Sequence, residues 1–254
     1  KRVWSSSSII ITVKPSMSVN AVIHMLEDRH LDFNAYVFKY YLMSQGLSGH
    51  IKAGEYEITN TLTLLDFINH LVRGQVVQYS LTLIEGQRWQ QLVNAVISDK
   101  HLRHVLSSPM TESHLISQLG LRHIHALAGQ FFPSTYYYTH DQSDLELLKR
   151  AFQLRQKHLN TAWRSRDPRV MYKNSYQALI VASLIVGESG YRPEYSHIAA
   201  VIHHRLKRHM PLQVDASVRF GLNKWSRKLS HADLKRGNVY NTYLNYGLPP
   251  TPIA

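Results

Sequence analysis

One carboxylate in the sequence has the setting of a general acid. Glu188 is the only acidic residue in the almost wholly apolar stretch from Ser175 to Gly190. If that stretch is a helix, desolvation and the negative end of the helix dipole both disfavour a charged carboxylate at its C-terminal end. Both effects raise the pKa of Glu188, and glycosidic cleavage needs an acid that stays protonated near neutral pH. The alternative is a partly exposed glutamate just beyond a buried helix.

Polar and aromatic residues downstream are candidates for binding a substrate, because ligand contacts concentrate in loops. They are Gln213, Asp215 and Ser217 in one segment, and Tyr240, Asn241, Thr242 and Tyr243 in another. We expect them to line a cleft, where they would orient the substrate or support Glu188. Each could equally be a turn residue or a buried hydrogen-bonding group.

Other chemistries lack the necessary residues or spacing. The segment from Gly187 to Tyr191 lacks the second glycine of a serine-hydrolase elbow. Cysteine is absent, which excludes disulfides, thiolate metal sites and a cysteine nucleophile. The histidine pairs 123/125 and 203/204 have no companion ligands at metal-binding spacing. We therefore expect neither a metal nor a cofactor.

The composition is that of a globular protein with a strongly basic balance. Hydrophobic residues make up 44% and charged residues 18% of the chain, and the net charge is +12. Such a surface attracts polyanions: nucleic acid, anionic lipid, or a wall polymer bearing carboxylates. No nucleic-acid-binding motif accompanies the charge, so we expect no nucleic-acid partner. No apolar run reaches the ~18 residues that span a bilayer.

Hydrophobic periodicity in the first third of the chain predicts alternating strands and helices. We predict strands over 9–13, 53–58 and 76–84, and helices beginning near Ser18, near Asn34 and at a cap formed by Thr61 or Thr63. The helix over 34–44 is predicted to bury the side carrying Tyr36, Val37, Tyr40 and Tyr41.

The rest of the chain is predicted to be mainly helical. Helices are predicted over 144–163, 175–189 and 196–209, the second of them buried and central. The segment 131–138 holds five aromatic residues and a proline, which suits the wall of a cleft better than a regular strand. Its rings could stack on sugars or pack in the core.

Seven parts of the chain, in this order, resemble the YceG-like endolytic murein transglycosylase family (MltG). They are 53–56, 84–86, 131–136, 181–189, 199–206, 210–218, and 240–243 with 247–250. The resemblance covers nearly the whole chain, and the family's catalytic glutamate falls on Glu188.

The resemblance implies an α+β fold. A LysM-like N-terminal strand–helix region, residues 1–78, would precede a mainly helical, lysozyme-like catalytic domain, residues 79–254, without the family's C-terminal stretch. The implied reaction cleaves the MurNAc–GlcNAc bond of peptidoglycan glycan strands, leaves 1,6-anhydroMurNAc ends and terminates strand elongation. Cell-wall synthases are implied as partners. The implied location is the bacterial inner membrane, with a single-pass anchor upstream of this chain and a periplasmic domain.

Four positions depart from the family pattern. Acids are expected at Val186, Ala128 and Ser134, and asparagine at His204. These departures favour an alternative, a non-catalytic peptidoglycan-binding scaffold with a degenerate cleft. The retained Glu188 opposes it.

Overall fold

The computed structural model describes residues 8–106, 110–121, 124, 126–225 and 228–254. His123 and His125 therefore lie outside the described residues. The chain divides into two compact units. Unit one comprises residues up to 80 with 100–103 and 137–143, and unit two comprises 81–99, 104–136 and 144–254. In the part of the chain that is described, no helix combines the length and the apolar character that crossing a membrane requires.

Unit one is a small helix-and-strand fold with one antiparallel pair of strands. Its elements are β1 (Ile9–Val13), α1 (Val19–Asp28), α2 (Ala35–Ser44), β2 (Gly54–Ile58) and α3 (Leu64–Arg73). The strands β1 and β2 are antiparallel, with Ile11 opposite Tyr56. Both side chains are buried, together with Phe38 and Phe67. The predicted elements are confirmed here, while the LysM-like character stays a prediction.

The buried side of α2 differs from the one predicted. Phe38 and Leu42 are fully buried, whereas Tyr36 is 88% and Tyr40 75% exposed. Apolar residues surround this helix on every side, so their spacing could not identify the stripe that faces the core. Packing decides it, because the Phe38 ring lies 6.4 Å from that of Phe67.

A second two-stranded sheet and a set of helices complete the chain. The elements are β3 (Tyr79–Thr82), α4 (Trp89–Ile97), α5 (Glu112–Leu119), β4 (Thr135–Tyr138), α6 (Asp144–Arg164), α7 (Ser175–Glu188), a 3-10 turn (Arg192–Glu194), α8 (Tyr195–Lys207), α9 (Asp215–Leu222) and α10 (His231–Leu234). The strands β3 and β4 form the sheet. The predicted strand over 76–84 is thus shorter than expected.

The aromatic segment 131–138 contains a regular strand after all, which corrects the sequence expectation. In β4, Tyr136 and Tyr138 are buried while Tyr137 is 61% exposed. This alternation is the two-residue period of a strand with one covered face. Phe131 is buried too, so core packing accounts for most of these rings.

Helix α7 is central to unit two but is not buried on all sides. Ile180, Val181 and Leu184 join a core cluster with residues of α8, α9 and the C-terminal segment. Ala182 and Gly187, in contrast, are exposed. The helix begins at an Asn174 cap, whose side chain accepts a hydrogen bond from Gln177 N at 2.9 Å. The expectation of a buried helix therefore holds for one face only.

Candidate active site

Glu188 is the last residue of α7, and the chain becomes extended at Ser189. The Glu188 residue is exposed, which agrees with the partly exposed alternative. The neighbouring Ser189 does not face it as a free hydroxyl. Its Oγ donates to Glu194 Oε2 at 2.6 Å and accepts from Tyr191 N at 3.0 Å. Ser189 therefore fixes the turn that follows the candidate acid.

The pKa of Glu188 is nevertheless raised above its ordinary value. Partial burial is the largest cause, and the negative charge of Asp215 is the second. Arg219 and Arg205 act in the opposite direction. A residue that is exposed overall can still have its carboxyl partly desolvated by the groups packed on one side of it, so exposure and a raised pKa coexist. The shift expected from the sequence is found, with a second carboxylate as a contributor.

A glycine allows the two carboxylate-bearing segments to touch. A Cβ placed on Gly187 would lie 2.8 Å from Ala216 Cβ and 3.2 Å from Ile253 Cδ1. Real Cβ atoms do not approach this closely, so α9 packs against α7 only because position 187 has no side chain. Asp215 precedes Ala216 and Glu188 follows Gly187. The close approach therefore brings the two carboxylates into one electrostatic neighbourhood.

Asp215 is held in place by a tyrosine and an arginine. Tyr243 donates its hydroxyl hydrogen to Asp215 Oδ1 at 2.7 Å, and Arg219 Nη2 lies 3.9 Å from Oδ2. Burial, the hydrogen bond to Asp215 and the charges of Asp215 and Glu188 raise the pKa of Tyr243 to about 12. Tyr243 thus remains a protonated donor at neutral pH.

Ser217 and Thr242 form a buried hydroxyl pair beneath this site. Their hydroxyl oxygens are 2.9 Å apart, and Thr242 Oγ1 also accepts from Val214 N at 2.9 Å. Gln213 N donates to Thr242 O at 3.0 Å. These bonds join the start of α9 to the 240–243 loop. The expectation that Ser217 and Thr242 contact substrate is corrected, because both are buried; they support Asp215 instead.

Asn241 is likewise a buried residue whose side-chain hydrogen bonds hold the surrounding loop. It is fully buried, and its Nδ2 donates to Leu234 O at 3.0 Å and to Arg236 O at 2.8 Å. Its Oδ1 accepts from Tyr243 N at 3.0 Å, which helps to aim that side chain. Asn241 thus lies below the surface rather than in the cleft. The sequence expectation of direct contact is corrected here as well.

The other predicted residues are open to a ligand. Gln213 is exposed and has a φ of 53°, while Asp215, Tyr240 and Tyr243 are half-buried. Tyr240 Oη lies 3.0 Å from Thr251 Oγ1. The structure therefore joins Glu188, Asp215 and Tyr243 electrostatically, and leaves Gln213 and Tyr240 at accessible positions.

Sequence reasoning missed the two arginines that act on Glu188. The spacing of Asp215 and Arg219, four residues apart at the start of a helix, could have indicated their pairing. Arg205 lies in the family-like segment 199–206, directly after His204. Of the positions where the family has an acid, Val186 lines a mainly apolar pocket together with Leu92 and Phe131.

Comparisons with known proteins concern the chain as a whole. The model of the YceG-like family matches residues 11–254. The endolytic murein transglycosylase of Bacillus subtilis is 28% identical over 98% of this chain and 73% of its own length. That of Streptococcus pneumoniae D39 is 23% identical over 98% of this chain, which spans only half of that protein. A crystal structure of a YceG-like protein from Listeria monocytogenes shares the fold, with a TM-score of 0.54, 23% identity, and coverage of 98% of this chain and 86% of that one.

Proposed function

Since the chain belongs to the YceG-like family, we propose that it is a peptidoglycan lytic transglycosylase that cuts glycan strands internally. The observation that carries the proposal is the raised pKa of Glu188 beside Asp215. Two relatives that match almost the whole chain are named endolytic murein transglycosylase, which supports the same activity. The substrate is the MurNAc–GlcNAc bond, and the product carries a 1,6-anhydroMurNAc end.

A single acid/base can perform this reaction. Protonated Glu188 donates its proton to the bridging oxygen as the bond from that oxygen to MurNAc C1 breaks, and the released GlcNAc leaves with a hydroxyl. The N-acetyl group of MurNAc stabilises C1. The Glu188 carboxylate then takes the proton of the MurNAc 6-hydroxyl, whose oxygen bonds to C1 and closes the anhydro ring. No water is consumed, so the second carboxylate of a hydrolase is not required.

Asp215 and Tyr243 have defined parts in this proposal. The charge of Asp215 keeps Glu188 protonated at a higher pH than its ordinary pKa allows. Tyr243 holds Asp215 by its hydrogen bond and shares the field of both carboxylates. Gln213 and Tyr240 are accessible and would contact sugars of the strand. The start of α9 and the 240–243 loop are held together by the buried side chains of Ser217, Asn241 and Thr242.

We place the reaction at the periplasmic face of the inner membrane, where cutting a nascent strand would end its elongation beside the cell-wall synthases. An anchor upstream of residue 1 would keep the enzyme there. The charge of +12 suits a wall polymer with peptide carboxylates.

Glu188→Gln tests the activity directly. Gln keeps the shape of the side chain but can neither donate nor accept the proton, so release of anhydro-muropeptides from purified sacculi should fall by about 10² to 10⁴. Mass spectrometry of the products provides the measurement. Glu27→Gln, which changes an exposed carboxyl of α1, serves as the control and should keep the original rate.

The same measurement separates the enzyme from the scaffold alternative. A folded wild-type chain that binds sacculi but releases no anhydro product would be a scaffold. A folded Glu188→Gln chain that still makes anhydro ends at the original rate would show that another group is the catalyst.

A further inference from the structure

A pocket of about 330 Å³ in unit two is lined by residues that the proposed reaction does not use, apart from Tyr240. This volume falls at the lower end of the range of small-molecule sites, ~300 to 1,000 Å³. Four of the lining residues are aromatic, and the rest are polar or aliphatic. The aromatic members are Trp89, Phe220, Trp225 and Tyr240.

The aromatic rings form a corner rather than a filled core. Phe220 lies 4.7 Å from Tyr240 at 62° and 5.8 Å from Trp225 at 90°, measured between ring centroids. All three side chains are half-buried, so part of each ring borders the pocket. An aromatic ring with one free face provides a large apolar contact and a polar edge. The C–H face of a pyranose ring is a matching surface.

Polar groups surround this corner. Asn223 Oδ1 accepts from Trp225 Nε1 at 3.1 Å, while Asn223 itself is exposed, with its Nδ2 left to donate to a ligand. The guanidinium of Arg88 lies 5.5 Å from the Trp225 ring centroid. Glu112 Oε1 accepts from Leu127 N at 2.6 Å, so one carboxylate oxygen is already fixed at the opposite wall. Donors and an acceptor therefore face one space, as the hydroxyl and amide groups of a sugar require.

Aliphatic residues complete the wall of the pocket. Ala126, Ala128 and Ile253 line the pocket, and a methyl group fits beside such side chains. An acetamido substituent carries a methyl group next to an amide, which the polar groups above can bind. These features favour an N-acetylated sugar over an unsubstituted one.

The pocket is connected to the candidate active site through two segments. Ile253 lines the pocket and also approaches Gly187, the residue before Glu188. Tyr240 lines the pocket and belongs to the same loop as Tyr243, whose hydroxyl donates a hydrogen bond to Asp215. A chain of sugars lying against these segments would contact both the pocket and the candidate active site.

We propose that this pocket is a second saccharide subsite, which binds one N-acetylated sugar ring of the glycan strand by stacking on Trp225 and Tyr240. The assignment of the ligand rests on the proposed function. The subsite would hold a sugar other than the pair whose bond is cut, and would therefore favour internal positions of a strand.

Binding of an N-acetylglucosamine hexamer to the full Glu188→Gln chain tests the subsite without turnover. Calorimetry should show that Trp225→Ala weakens binding by about five- to tenfold, the range of a lost aromatic stacking contact. Trp225→Phe keeps a ring and should restore most of the affinity. Trp163→Ala is the matched control, because Trp163 also has an arginine over its ring but does not line the pocket.

A second measurement needs no change at position 225. On titration with the hexamer, the indole Nε1–H resonance of Trp225 should shift, while that of Trp163 should stay. A folded Trp225→Ala chain with unchanged affinity, an unmoved Trp225 resonance, or no binding by the parent chain would each overturn the subsite. These outcomes are independent of the cleavage test. Absent anhydro products from wild type together with hexamer binding at Trp225 would overturn the reaction alone.

Discussion

Glu188 is a carboxyl whose protonation is set by opposing neighbours. Asp215 raises its pKa, and Arg205 and Arg219 lower it. A group that gives a proton in one step and takes one in the next works best when its pKa lies near the working pH, so neither influence should dominate. The salt bridge between Arg219 and Asp215 serves this balance, because it partly neutralises the charge that acts on Glu188.

Asp215→Asn tests this balance through the pH dependence of activity. The acid form of Glu188 starts the reaction, so the rate falls as pH rises through its pKa. Removing the negative charge at 215 lowers that pKa, and the alkaline limb of the pH–rate profile should move to lower pH. Tyr243→Phe keeps the charge of Asp215, so in this variant the alkaline limb should not move to lower pH. A lower rate with an unmoved limb in Asp215→Asn would assign Asp215 to substrate contact instead.

At the scale of elements, the site depends on how closely α7 and α9 pack. Gly187→Ala adds a methyl group that would meet Ala216 Cβ at 2.8 Å. Overpacking of this kind costs about 1 to 3 kcal/mol, which outweighs the gain of ~1 kcal/mol in helix propensity from replacing glycine. We expect a lower free energy of unfolding in urea and slower release of anhydro products, because Asp215 moves away from Glu188.

Gly190→Ala is the matched control for that substitution. A Cβ on Gly190 meets no atom within 4 Å, so the unfolding free energy should change by no more than about 0.5 kcal/mol. Equal losses in the two variants would show that the close approach at 187 is not what limits the packing.

The helix that carries Glu188 was predictable, but α9, which carries Asp215 and Ser217, was expected to be a loop. The bounds of α7 follow from a long apolar run between Asn174 and Gly190, which local sequence specifies. The buried stripe of α2 and the strand at 135–138 depend on which partner covers each face, and that is a tertiary property. For the same reason the sequence identified Glu188 but not the influence of Arg205 and Arg219. It also could not show that Asn241 and Thr242 lie beneath the cleft.

At the scale of the whole molecule, the excess of positive charge affects binding to the polymer rather than the cleavage step. The sequence contains 29 lysine and arginine residues against 17 acidic ones. Charges of this kind raise the rate and strength of association with a polyanion, and salt screens them. The stacking contacts proposed at Trp225 and Tyr240 carry no such dependence. The two contributions to binding are therefore separable by ionic strength.

Binding to purified sacculi should weaken as salt is added. The screening length falls from about 10 Å at 0.1 M to about 3 Å at 1 M, so attraction to the peptide carboxylates should decline several-fold over that range. The uncharged N-acetylglucosamine hexamer is the control ligand, and its affinity should stay nearly constant because it carries no counter-charge. Cosedimentation of the Glu188→Gln chain with sacculi gives the first quantity and calorimetry the second. Sacculus binding that ignores salt would mean that the basic surface serves another partner, and a salt-sensitive shift on random DNA would then point to nucleic acid.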